Sequence, residues 1–161
     1  MDILDHAIEL ENNGRKFYLE SASLAKTPAV RAILESLAED EVGHARFLIE
    51  LKSNATVPYA PSASFSKIEG ILKESKLSTP EGLAETDDVR EVIQKAIDFE
   101  DKARLHYDNE AFITLRPEAR ETLRLLAREE ERHHQLLCGL LKYLDTPENL
   151  LETQEFHWRN D

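Results

Sequence analysis

The sequence is poor in cysteine, in basic residues and in long apolar runs. Its single cysteine, Cys138, excludes an internal disulfide and any paired CxxC site for iron or zinc. No stretch approaches the roughly 18 uninterrupted apolar residues that a membrane span needs. None near the N-terminus joins a basic region to an apolar run and a small-residue cleavage site. We therefore expect a cytoplasmic protein with no membrane partner.

Acidic residues outnumber basic ones, with 32 Asp and Glu against 20 Lys and Arg, and the formal net charge is −12. Binding to phosphate backbones needs a basic surface, so this excess argues against nucleic acid as a partner. An acidic excess belongs either to a solvated surface or to carboxylates that bind cations. At 161 residues the chain is expected to form one domain over residues 1–161.

The apolar residues recur at helical spacing, and no segment shows convincing strand alternation. The prediction is all-α: a four-helix bundle of two helical hairpins joined by a long crossover, with short connecting and C-terminal helices. The long helices are predicted over about 2–26 and 28–53, from a cap at Asp87 or Asp88 to the break at Arg116-Pro117, and from there to about Leu144. The short ones are predicted over about 64–76 and after Thr146-Pro147.

The sequence also contains an internal repeat, because a shift of 89 positions superimposes one half on the other without a gap. The halves cover about 1–54 and 88–144. Matched pairs include Glu11 with Glu100, Tyr18 with Tyr107, Pro28 with Pro117, Glu41 with Glu130, and His44 with His133. The two hairpins are therefore predicted to be related units that pair about a pseudo-two-fold axis.

Polar residues interrupt the apolar stripes at matching places. Glu130 and His133 stand where the leucine stripe of the fourth helix would continue, and Glu41 and His44 do the same in the second helix. The first and third helices each add a glutamate on their apolar faces, Glu11 and Glu100. Burying these charges uncompensated would be very costly, so a compensating partner is expected.

Two divalent metal ions meet this requirement. Residues three apart share a helix face, so each Glu-x-x-His pair can reach one ion. Four carboxylates and two neutral imidazoles suit two such ions, and the predicted ligands are Glu11, Glu41, His44, Glu100, Glu130 and His133. Iron, manganese and zinc all suit this oxygen and nitrogen set, and iron gives redox chemistry. The alternative is a polar seam that carries water and ion pairs.

Two tyrosines accompany the glutamates. Tyr18 and Tyr107 follow Glu11 and Glu100 by seven residues, two turns along the same face. They are either core tyrosines with satisfied hydroxyls or auxiliary catalytic residues whose hydroxyls bond to a ligand carboxylate across the bundle.

Further acidic residues and histidines lie near the motifs. Asp40 and Glu129 precede the histidines by four residues, and they either orient the imidazoles or lie on the surface. Four histidines have no histidine at the repeat-related position, and we interpret them as surface or packing residues: His6, His106, His134 and His157.

As a set these motifs resemble the rubrerythrin-like branch of the ferritin-like superfamily. The motifs are Glu11-x6-Tyr18, Glu41-x-x-His44, Glu100-x6-Tyr107 and Glu130-x-x-His133, and the resemblance covers about 3–53 and 92–143. It implies a ferritin-like bundle, a non-haem di-iron site, reaction with hydrogen peroxide or dioxygen, and a homodimer.

The chain departs from rubrerythrins proper in two ways. It has no CxxC pairs of a rubredoxin-like domain, which implies that a separate protein donates the electrons. Ala103 stands where rubrerythrins have a second glutamate on the third helix, and the six remaining residues resemble the symmetric site of ferritin-like ferroxidases.

The function expected from these features is that of a di-iron oxidoreductase, a peroxidase or a ferroxidase. Such a protein would oxidise Fe(II) while reducing hydrogen peroxide or dioxygen, in protection against oxidative stress or in iron handling. Two alternatives stay open: an iron-binding or storage module, and a metal-stabilised structural bundle without turnover.

Overall fold

The computed structural model describes residues 2–53, 62–74 and 87–145. Within these ranges it contains helices and no strand, as predicted. The helices are α1 (Ile3–Leu24), α2 (Pro28–Lys52), α3 (Ser64–Glu74), α4 (Asp87–Ile113) and α5 (Pro117–Asp145). The helix predicted after Thr146-Pro147 lies outside the described residues. None of the described helices combines the length and apolar character needed to cross a bilayer.

The first helix ends two residues earlier than predicted. Ala25 already has an extended backbone, with φ −66° and ψ 129°, and its N–H closes the last turn by bonding to the carbonyls of Ser21 and Ala22. Thr27 is extended as well, because a residue before proline is pushed out of the helical region. Pro28 then opens α2 at a position where its missing N–H costs nothing.

The repeat predicted from the sequence reappears in the hairpin loops. Nη2 of Arg31 on α2 donates to the carbonyl of Ala25 at 3.0 Å. Nη2 of Arg120 on α5 donates to the carbonyl of Thr114 at 2.7 Å. Donors and acceptors are each 89 positions apart, so both hairpins close their loops with the same arginine bond to an otherwise unpaired carbonyl.

Two apolar clusters make up the core of the bundle. The larger cluster joins all five helices through residues such as Tyr18, Leu34, Ile68, Ile93 and Leu137. The smaller cluster joins α1, α2, α4 and α5 through Leu4, Leu48, Tyr107 and Leu123 among others. Burying each such leucine or isoleucine contributes about 1.5–3 kcal/mol.

The order of the clusters along each helix gives the topology. The first and fifth helices run from the smaller cluster to the larger, whereas α2 and α4 run from the larger to the smaller. Thus α1 is antiparallel to both α2 and α4. On every long helix the predicted ligands fall between the clusters, for example Glu11 between Ala7 and Tyr18. The fold therefore places a polar layer at mid-height of an apolar core.

Candidate metal centre

Six side chains form the polar layer, and all six were predicted from the sequence. The four long helices contribute them, and each is at most 3% exposed: Glu11, Glu41, His44, Glu100, Glu130 and His133. Each Glu-x-x-His pair projects inward because its two residues lie about one helical turn apart on the apolar face. Helical register alone thus brings four carboxyl groups and two imidazoles together in the core.

The six residues divide into two overlapping groups. In one, ligand atoms of Glu11, Glu41, His44 and Glu130 all lie within 4.8 Å of one another. In the other, the same holds for Glu41, Glu100, Glu130 and His133. Glu41 and Glu130 belong to both groups. Two neighbouring cation positions are therefore available, with these two carboxylates between them.

Nδ1 of His44 faces the carboxylates of the first group. It lies 3.3 Å from Oε2 of Glu11, 3.3 Å from Oε1 of Glu130 and 3.8 Å from Oε2 of Glu41. This nitrogen converges with oxygens from three helices, which is the arrangement that one bound cation requires.

His133 is oriented from both sides. Its Nδ1 lies 3.5 Å from an oxygen of each of Glu41, Glu100 and Glu130. Its Nε2 donates to Oδ2 of Asp40 at 3.1 Å. The ring of His133 stacks on that of His44, with centroids 5.7 Å apart and planes 20° apart. A hydrogen bond on one ring nitrogen fixes the direction in which the other faces the centre.

The two tyrosines bond to glutamates across the bundle. The Tyr18 hydroxyl on α1 donates to Oε1 of Glu100 on α4, and the Tyr107 hydroxyl on α4 donates to Oε1 of Glu11 on α1. Both tyrosines are fully buried, and burial followed by the nearby carboxylates raises their pKa well above the usual value. The hydroxyls therefore keep their protons and hold the glutamates in place.

The carboxyl groups share one buried space, and this raises the pKa of two of them. Burial, together with the charges of Glu11 and Glu130, raises the pKa of Glu41 well above its usual value. Burial and the charge of Glu130 raise the pKa of Glu100 to about 8. Without cations, like charges at short distance oppose the ionisation of both groups, and Glu100 retains its proton at neutral pH.

The pKa values of the two histidines are raised, although burial by itself would lower them. Burial alone would lower the pKa of His44 and His133, but the carboxylates around them, above all Glu11 and Glu100, raise it. Burial would raise the pKa of Glu130, yet the imidazoles of His133 and His44 close beside it hold this pKa well below its usual range. Protons thus balance the negative charge in the metal-free protein, where cations would otherwise do so.

The atoms left without hydrogen-bond partners fit a metal pair. Among the described residues, the buried side-chain atoms with no partner include Glu41 Oε1, Glu100 Oε2, both oxygens of Glu130 and Nδ1 of His133. Each such atom costs about 1–3 kcal/mol when unsatisfied. These five atoms belong to predicted ligands; the other atoms without a hydrogen-bond partner are His44 Nε2, Ser36 Oγ, Arg104 Nε and Glu129 Oε2. A mixed carboxylate and imidazole set suits divalent iron, manganese or zinc.

Of the two residues proposed to orient imidazoles, only Asp40 does so. It contacts His133 of the other hairpin rather than His44 four residues later on its own helix. Glu129 is buried, not on the surface, and accepts a hydrogen bond from Arg132 at 3.0 Å. Its second oxygen and Nε2 of His44 both lack hydrogen-bond partners. The two halves of the repeat therefore differ in whether an acidic residue bonds to the outer nitrogen of the imidazole.

Sequence reasoning missed Gly14. A β-carbon at this position would lie 2.9 Å from Cε1 of Phe99 and 3.4 Å from the carboxyl carbon of Glu41. The repeat carried a signal, because the matching position is Ala103, a buried residue one turn after Glu100. Small residues at both positions keep space beside the centre.

A comparison with models of protein families identifies the family of the chain. The family model described as Rubrerythrin matches residues 2–141. The chain belongs to the Rubrerythrin family. No curated protein and no solved structure matches it. Membership confirms the resemblance seen in the motifs and the ferritin-like helical bundle, and a carboxylate site that usually holds iron is characteristic of the family.

Proposed function

We propose that this protein is a non-haem di-iron oxidoreductase that oxidises Fe(II) while reducing hydrogen peroxide or dioxygen. The observation that carries the proposal is the pair of overlapping ligand groups, which share Glu41 and Glu130. In this assignment Glu11 and His44 would hold one ion, Glu100 and His133 would hold the other, and Glu41 and Glu130 would contribute to both positions. This is the ligand set of di-iron and di-manganese carboxylate bundles.

A bound pair of Fe(II) ions would supply two electrons, which together with two protons would reduce hydrogen peroxide to two water molecules. The residues of the chain prepare the site for this chemistry. The four glutamates carry the four negative charges that balance two divalent ions, so the loaded core is close to neutral. The hydroxyls of Tyr18 and Tyr107 hold Glu100 and Glu11 by hydrogen bonds and keep these two carboxylates from turning away.

The apolar clusters above and below the centre exclude bulk water. Leu37, Leu126 and Leu137 are fully buried on the helices that carry the ligands. Low water access strengthens every electrostatic interaction between the ions and their carboxylates. It also limits the escape of a reactive oxidant before reduction is complete.

We further propose an electron donor, a compartment and an oligomeric state for this activity. A separate electron-donor protein returns the electrons, since the only cysteine of the chain is Cys138 and no CxxC pair is available to hold a redox metal. We propose that the protein acts in the cytoplasm, and that it forms a homodimer, which the resemblance to rubrerythrins implies. Manganese or zinc in place of iron would fill the same ligands, but zinc would give no redox turnover.

The test is anaerobic loading of the metal-free protein with Fe(II), followed by mixing with peroxide or with air. The proposal predicts two iron ions per chain and rapid growth of ferric absorbance, and the faster oxidant identifies the co-substrate. Repeated reduction and oxidation with the iron retained supports an oxidoreductase, whereas release of ferric iron after one cycle supports storage. Two bound ions with no oxidation by either oxidant would contradict the proposal and favour a structural role.

A further inference from the structure

Two histidines that the centre does not use meet at one end of the bundle. His6 on α1 and His106 on α4 have ring centroids 4.6 Å apart and planes at 80°. Nδ1 of His6 lies 3.2 Å from Nε2 of His106. His6 is exposed and His106 is half-buried, so solvent reaches the pair. From the sequence these histidines are expected to be surface or packing residues, because helical spacing cannot pair residues 100 positions apart.

The distance between the two nitrogens is the distance that a shared metal ion requires. Imidazole nitrogen lies about 2.0–2.1 Å from a bound zinc ion. Two nitrogens 3.2 Å apart, each at that distance from one ion, subtend an angle of about 100° at the metal. This angle falls between the octahedral and tetrahedral values, so the distance, which also fits the hydrogen bond between the two rings, is compatible with a shared ion.

Carboxylates stand beside the histidines on both helices. Glu110 follows His106 by four residues on α4, so these two share one helix face. Asp2 is the residue that precedes the first turn of α1, four positions before His6. Asp2, His6 and Glu110, with Ile3, line a recess of about 310 Å³ at this end of the bundle. The recess has room for an ion and its water ligands next to oxygen donors of the required charge.

The internal repeat does not account for this arrangement. A shift of 89 places Lys95 opposite His6 and Glu91 opposite Asp2, and these two residues form an ion pair at 2.7 Å. Phe17 and Ser21 occupy the positions that match His106 and Glu110. The histidine pair therefore has no repeat-related counterpart in the chain, unlike the ligand pairs of the dinuclear centre.

We propose that His6 and His106 form a second metal site, which binds one divalent ion of the zinc and copper class. Water completes the coordination, and the carboxylates of Asp2 and Glu110 line the neighbouring recess and add negative charge. These metals prefer imidazole nitrogen over the all-oxygen sites that suit magnesium or calcium. Burial and the neighbouring His6 lower the pKa of His106, partly offset by Glu110, which favours the neutral imidazole that binds metal.

The experiment is a zinc titration of the full chain in competition with a chelator. The wild-type protein should bind one zinc ion per chain more than either His6→Gln or His106→Gln. In the variants, the affinity for the extra ion should fall further than the roughly 10–100-fold loss caused by mutating a residue that only hydrogen-bonds to a ligand. Lys95→Gln is the matched control, since it changes the exposed repeat-related position, and it should leave the count unchanged. Equal counts and affinities in wild type and both histidine variants would overturn the proposal.

Two further measurements separate this site from the centre and from misfolding. Glu130→Ala should reduce zinc at the dinuclear centre while leaving the His6 and His106 ion in place. Cobalt(II) added to the wild-type protein beyond saturation of the centre should shift the ring-proton signals of both histidines in NMR spectra. Ring signals that stay unmoved at that stage would refute the second site, whatever the behaviour of the variants.

Discussion

His133 on α5 donates a hydrogen bond from Nε2 to Oδ2 of Asp40 on α2, at 3.1 Å, and both residues are buried. Burial would raise the pKa of Asp40, but the bond from His133 lowers it, so Asp40 is an ionised acceptor. This bond therefore places a proton on Nε2, and Nδ1 is the atom that faces the centre. One hairpin thus orients the imidazole ligand of the other.

Replacing Asp40 should weaken metal binding without removing a ligand. Asp40→Ala leaves Nε2 of His133 unpaired and its ring free to turn, and we expect metal affinity to fall roughly 10–100-fold. Competition titration with zinc measures this. Glu39→Ala is the control, because Glu39 is the exposed neighbour that pairs with Lys67 on the surface. Equal affinities for the two variants would show that Asp40 does not orient His133.

The contact between Asp40 and His133 is a feature of the site that the sequence does not predict. Helical spacing and the repeat predicted the bundle and the six residues of the centre, because both depend on which face of a helix is apolar. The partner of Asp40 could not be predicted, since it depends on how two hairpins are placed against each other. Spacing pointed to the residue's own helix, and the structure places the bonded histidine on the other hairpin. The histidine pair of α1 and α4 escaped prediction for the same reason.

The bridging assignment predicts unequal effects of two glutamate substitutions. Glu130 lies in both ligand groups, whereas Glu11 lies in one. Glu130→Gln should therefore impair loading of both positions, and Glu11→Gln should impair one and leave about one ion per chain. Elemental analysis after loading and desalting gives the counts, with the exposed Glu91→Gln as control. Identical losses in the two variants would argue against shared carboxylates.

The metal-free protein should lose stability as the pH rises. The pKa of Glu100 is raised from 4.5 to about 8 in the folded protein, so the fold holds a proton that the unfolded chain releases. The contribution of this proton is lost between about pH 4.5 and 8. His44 and His133 act in the same direction, because their raised pKa values mean that stability present below pH 6.5 is lost as the pH rises further.

Urea unfolding of chelator-treated protein at pH 5 and pH 8 measures this slope. We expect a decrease in the free energy of unfolding of the order of 1 kcal/mol or more. Glu100→Gln should flatten the slope. The metal-loaded protein should show the reverse trend, because protons compete with metal for the same atoms at low pH. A metal-free protein that gains stability from pH 5 to pH 8 would contradict the charge balance inferred for the centre.

Two glycines should respond differently to alanine. A β-carbon on Gly14 would lie 2.9 Å from Phe99 and 3.4 Å from the carboxyl carbon of Glu41, whereas one on Gly43 meets nothing within 4 Å. Gly43→Ala should stabilise α2 by about 0.5–1 kcal/mol through helix propensity. Gly14→Ala should be less favourable by about 1–3 kcal/mol because it overpacks the site. Thermal unfolding compares them, and equal gains would show that Gly14 does not set the packing beside Glu41.

The central claim is that two metal ions share Glu41 and Glu130, and anomalous X-ray diffraction from metal-loaded crystals tests it most directly. If the two ions share these carboxylates, two anomalous peaks per chain are expected in the buried polar layer, roughly 3.5–4 Å apart as in other dinuclear sites. One peak should lie beside Glu11 and His44, the other beside Glu100 and His133, with Glu41 and Glu130 between them. A single peak in this layer, or none, would contradict the dinuclear centre.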